Sequence, residues 1–204
     1  MDSGRDKALV YQLLVHAEEY PWKMQDIGLL GLRLDDRREY RLHVWDPSLC
    51  VGEPPVHDHP FNFVSQIIAG EMVNTRYTED PAGVEYSRTR YSPTNEDARR
   101  AADTVRLSGT VTTHTEGGRY SQVAHELHDS RQLPGTVTII RMTFKDVPEK
   151  LTVCRRDEST WVSGQSRPAT REEVKRFTTQ ALAWFSPMSE RPPAFPVEPM
   201  ASEG

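Results

Sequence analysis

The stretch HDHPFNFVSQIIAGE, residues 57–71, decides how this chain is read. Two histidines, His57 and His59, stand one residue apart ahead of an aromatic-rich apolar run that closes on Gly70. In an extended backbone alternate residues point to the same side. Both imidazoles therefore aim at one point, as two ligands of a single ion must, and neutral imidazole is a common ligand for borderline metals. Provided Pro60 keeps the register, Phe61 and Phe63 share that side and form an apolar wall beside the histidines. Ser65 and Gln66 interrupt the apolar run, and one of them is expected to point inward.

The sequence around this stretch reads as strands. EYRLHVW (39–45) alternates, with Tyr40, Leu42 and Val44 on one face and Arg41, His43 and Trp45 on the other. EMVNTRYTE resumes directly after Gly70 and runs into the turn material EDPAG (79–83). VEYSRTRY, DTVRLSGTVTTHT, GRYSQVA and GTVTIIRMTF are further candidates, punctuated by Gly, Pro, Asp and Asn. Many short strands at this spacing indicate an all-β sandwich or barrel.

Residues 39–144 resemble the cupin superfamily. Its first motif is His-X-His, three or four residues, Glu, six residues, Gly. Here His57-Asp58-His59 and Gly70 take those places, and Glu71 follows as in the frequent Gly-Glu turn. The second motif places one more histidine on a later strand, ahead of a final apolar strand. GGRYSQVAHELHDSRQLPGTVTIIRM (117–142) fits that outline, with His128 in the ligand position and His125 as the alternative. There are two departures. Phe63 occupies the glutamate position, and the Pro-X-Gly of the second motif is absent.

The resemblance implies a single cupin barrel, a double-stranded β-helix or jelly roll, with flanking N- and C-terminal helices. It implies a divalent metal held by three histidines without a carboxylate, as in the cysteine dioxygenase-like branch. Three neutral imidazoles leave the full charge on the ion, which favours an anionic or bidentate substrate. Three protein ligands also leave open positions, as catalytic sites do. Arg41, His43, Phe61, Phe63, Tyr120 and Arg141 are the candidate substrate-binding residues. Arg41 suits a carboxylate, because its guanidinium fork matches that geometry.

The expected function is a mononuclear non-haem Fe(II) dioxygenase or oxygenase acting on a small polar or anionic metabolite. The alternatives are a non-redox Zn(II) or Ni(II) cupin, acting as isomerase, lyase or bond-forming enzyme, and a ligand-binding cupin without catalysis. Fold cannot choose among them. A homodimer is the default, cyclic pairs being the commonest oligomers.

Domain organisation follows the pattern. Residues 1–38 read as an N-terminal helix and lead-in, with Ser3 as N-cap and Leu9 and Leu13 on one apolar face. Residues 39–165 form the barrel. Residues 166–186 carry the clearest helix, with Thr170 and Glu173 as a capping box and Val174, Phe177, Ala181, Trp184 and Phe185 as its apolar stripe. Residues 187–204, rich in Pro and Ser, read as a disordered tail.

Composition narrows the classes. A length of 204 residues suits one domain with terminal extensions, and a net charge of -5 argues against a nucleic-acid partner. The two cysteines, Cys50 and Cys154, suit a reducing cytoplasm and read as packing residues, although one disulfide between them is compatible with the sequence. No signal peptide or membrane-spanning apolar run is expected. His16 and His114 read as surface residues. The phosphate-loop, dinucleotide and Gly-X-Ser-X-Gly patterns do not occur, which disfavours ATP-driven, nicotinamide-dependent and serine-hydrolase chemistry.

Overall fold

A computed structural model of the chain describes residues 3–37, 39–50, 55–92, 95–144, 151–156 and 166–186. The expected tail, 187–204, lies outside the described residues, as does the last part of the 39–165 segment. The chain is mostly strand. Helix α1 (Ser3–Val15) leads into a hairpin of β1 (Lys23–Gln25) and β2 (Ile27–Arg33), followed by β3 (Tyr40–Cys50). Next come β4 (Val56–His57), β5 (Phe61–Ala69), β6 (Glu71–Ser92), β7 (Asn95–Thr115), β8 (Arg119–Gln122), β9 (Leu127–Gln132) and β10 (Val137–Phe144). The strands β11 (Leu151–Arg155) and β12 (Ser166–Pro168) precede helix α2 (Arg171–Ala183).

Two antiparallel sheets result. One has the order β12-β1-β2-β3-β10-β5-β8, the other β11-β4-β9-β6-β7. Between β3 and β10 the pairing is nested: β3 with β10, β4 with β9, β5 with β8 and β6 with β7. The segment is thus one long hairpin wound on itself, which places its outermost and innermost strands in different sheets. Turn chemistry permits the winding. Gly70 between β5 and β6 has φ +85, and a Cβ there would lie 2.5 Å from Thr136 Oγ1.

The central part of the first sheet is buried on both faces. Its outer face carries Leu30, Leu32, Leu42, Val44, Ile68, Val137 and Ile139, which pack against Val10, Leu14, Ala17, Phe177, Ala181 and Trp184 from the helical segments. Full burial of a side chain such as Phe177 stabilises the fold by roughly 1.5–3 kcal/mol. Its inner face carries Phe63, Ile67, Tyr120, Met142 and, partly buried, Trp45, Phe61 and Ile140, together with Met72 from the second sheet. Of the polar pair in β5, Ser65 has the parity of Phe63 and Ile67, while Gln66 lies on the helix side; both are buried.

The structure corrects three sequence expectations. The lead-in over 1–38 contains the β1–β2 hairpin, whose apolar run lacks alternation because both faces are covered. In α1 the buried stripe is Val10 and Leu14, continued by Ala17, and Leu9 is 54% exposed; Ser3 is already helical. EDPAG is a bulge inside β6, with the register against β7 shifting between Glu79 and Val84. Beyond that shift β6 pairs with β11, whereas before it β6 pairs with β9, so the strand serves two neighbours. Both cysteines are free thiols, and burial pushes the Cys154 thiol up to about 11.

Candidate metal centre

His57 ends β4 and pairs directly with His128 of β9, so both side chains leave the sheet on the same face. Two residues on, His59 keeps the parity of His57. The ligand nitrogens of His57, His59 and His128 all lie within 4.8 Å of one another. An ion held at about 2.0–2.1 Å from each nitrogen needs them somewhat closer than this.

The tautomers are set for coordination. The Nδ1 of His57 donates to the Pro55 carbonyl at 3.0 Å, which leaves Nε2 as the lone-pair nitrogen. The Nδ1 of His128 faces Asn74 Oδ1 at 3.1 Å. Its Nε2 is buried without a hydrogen-bond partner. A buried orphan acceptor is costly unless something occupies it. Burial, followed by the charge of His57, pushes His128 down to about 3. Burial also lowers His57 and takes His59 well below its ordinary value. All three are therefore neutral near pH 7, the protonation state that a metal requires.

Asp58 fixes the loop between the two ligands. It is 4% exposed, its Oδ1 accepts from Thr152 N at 2.6 Å, and its own N–H donates to Thr152 O at 3.1 Å. His125 stands beside the cluster and is not a member of it. Its backbone is left-handed (φ 65), its N–H donates to His59 O at 2.8 Å, and its Nδ1 lies 3.4 Å from Asp58 Oδ2. The structure therefore groups His128, and not His125, with the His57–His59 pair.

The remaining candidates divide. Phe61 stacks on His59 at 5.1 Å and 25°. Phe63, in the place of the motif's glutamate, meets His59 at 5.4 Å and His128 at 5.9 Å. Tyr120 packs on Phe63 at 5.9 Å, and its hydroxyl reaches Met72 Sδ at 3.2 Å. Arg41 and His43 share the face of β3 that pairs with Ile140 and Thr138, toward the histidines. His43 is buried with Nδ1 unpartnered, and burial and then the Arg41 charge push it down to about 3. Arg141 is not brought to the cluster. It is exposed, with its guanidinium over the Tyr40 ring at 5.7 Å, because Ile140 and Met142 take the inward parity on either side of it. His16 is at the surface, whereas His114 is half-buried and stacks on Tyr120 at 4.9 Å.

Two residues that serve the cluster, Asn74 and Asp58, did not stand out from spacing. Asn74 shares the parity of Met72 in β6 and is wholly buried, and nothing in its flanking residues, Val73 and Thr75, marks it in the sequence. Among the described residues no helix is long and apolar enough to cross a membrane. No known family model matches the sequence, and no curated protein matches it either.

Proposed function

We propose that this chain is a metal-dependent enzyme of the cupin type, most specifically a mononuclear non-haem Fe(II) oxygenase acting on a small anionic metabolite. The observation that carries the reading is the buried, unpartnered Nε2 of His128 beside His57 and His59, three neutral imidazoles converging from two elements. The nested pairing of β3 to β10 supports a jelly-roll reading of the fold, since a wound hairpin of eight strands is how that architecture is built.

When bound, Fe(II) would supply dioxygen activation at positions the three histidines leave open. The chain's own residues do the rest. His57 and His128 hold their Nδ1 protons toward Pro55 and Asn74, keeping Nε2 available. Phe61 and Phe63 exclude bulk water from one side and add no charge. Arg41 places a cation on the inward face of β3, where it favours a substrate carboxylate.

The test is anaerobic loading with Fe(II), followed by dioxygen uptake with a panel of small carboxylates. Iron-dependent uptake that is lost in His57→Ala is expected. Turnover that persists under strict oxygen exclusion would overturn the oxygenase assignment in favour of non-redox Zn(II) or Ni(II) chemistry. Ligand binding with no turnover under any metal would reduce the protein to a binding module.

A further inference from the structure

A second site lies away from the three histidines. The strands β7 and β8 each end one of the two sheets, and they are joined by a tight turn through Gly117 and Gly118. Where these edges diverge they leave a groove of about 480 Å³. Arg76, Arg119 and His114 line it with Thr110, Thr112 and Tyr120, and among the described residues no acidic side chain lines it. Arg76 also pairs with the Glu126 carboxylate, 4.0 Å from Nε. Arg76 spans the groove from β6 and donates to the Ser121 carbonyl of β8, which anchors its guanidinium at the groove wall.

Two guanidiniums, hydroxyls and an imidazole thus face one open groove and supply several donors for an anion. The size falls in the usual range for a small-molecule site. Arginine forks match the oxygens of carboxylate and phosphate alike. We propose that this groove binds a small oxyanion, a phosphate or a carboxylate, at a site separate from the metal centre.

The groove also touches the metal centre at two points. Tyr120 forms part of its lining and packs on Phe63. Thr112 Oγ1 donates to the Asn74 carbonyl at 3.1 Å, and the Asn74 side chain faces His128. Occupation of the groove therefore bears on the residue that sets the His128 tautomer. Oxyanion binding itself does not depend on the metal reading.

The test is calorimetric titration of the full chain with inorganic phosphate and, separately, with succinate. Saturable one-to-one binding of one of the two is expected, and which one binds identifies the oxyanion. Arg119→Gln, a change at an exposed position, is expected to weaken it about tenfold or more, as loss of a charge-assisted hydrogen bond does. Arg76→Gln should act likewise, provided its melting temperature shows that it folds, and His57→Ala should bind as the parent does. Absence of saturable binding with either anion would overturn the proposal. So would full affinity in Arg119→Gln, or loss of binding in His57→Ala, which would put the anion on the histidines.

Discussion

Asn74 governs which nitrogen of His128 faces inward, through a contact of 3.1 Å between Oδ1 and Nδ1. Partners of this kind, hydrogen-bonded to a metal ligand, typically change metal affinity 10–100-fold when removed. Asn74→Leu should therefore weaken metal binding by roughly that factor while leaving the chain folded. Competition against a chromophoric chelator measures it, and an unchanged affinity would remove Asn74 from the account. At Gly70 the constraint is steric. A Cβ would lie 2.8 Å from Thr136 Cα at a φ of +85, so Gly70→Ala must shift β10 or unwind the turn. It should cost at least about 1–2 kcal/mol, read as a drop in the denaturation midpoint. The two positions were unequally legible. Gly70, His57 and His59 stand at motif spacing in the sequence, whereas spacing left the third ligand open between His128 and His125. Asn74 contacts a residue 54 positions away, and nothing local announces such a pair.

At the scale of elements, helix α2 is anchored at both ends of its first turns. Thr170 and Glu173 form the capping box, and Arg167 pairs with Glu173 at 2.5 Å. Deeper in, the wholly buried Asp46 of β3 accepts from Arg176 Nε at 2.9 Å and from Gln180 Nε2 at 3.0 Å. The Arg167 guanidinium, with the Thr170 contacts, holds the Glu173 carboxyl down at about 2. Because the folded value lies below the unfolded one, this pairing stabilises the helix above about pH 4.5 and is lost as pH falls from there toward 2. An acid titration followed by far-UV circular dichroism should show that loss, and Glu173→Gln should flatten it. A profile identical in parent and variant would contradict the assignment. The α2 stripe was readable because 3.6-residue periodicity and the capping box agree. The α1 stripe was misread at Leu9, since consecutive Leu, Val and Tyr residues offer several overlapping faces and only packing against α2 and β5 selects Val10 and Leu14. The EDPAG bulge was misread for a related reason. Its turn residues are real punctuation, but here they re-aim β6 from β9 to β11 and do not reverse it.

Across the whole molecule, the sheet-rich character was legible from alternation and punctuation, and the pairing scheme was not. Alternation reports which face a residue takes and says nothing of which strand lies beside it. The His57–His128 pairing shows the consequence: two sites far apart in sequence become neighbours only through the nested order of β3 to β10. Phe63 is informative in the opposite direction. A phenyl ring packed beside both His59 and His128, at the position of the motif's carboxylate, leaves the cluster with neutral imidazoles alone. The proposed enzymatic function depends on whether that centre holds an ion. The most direct measurement is metal content per chain by mass spectrometry, after reloading, for the parent protein and for His57→Ala, His128→Ala and His125→Ala. Near-stoichiometric metal in the parent and in His125→Ala, with loss in the other two variants, is the predicted result. No metal in the parent, or undiminished metal in His57→Ala and His128→Ala, would contradict a three-histidine centre.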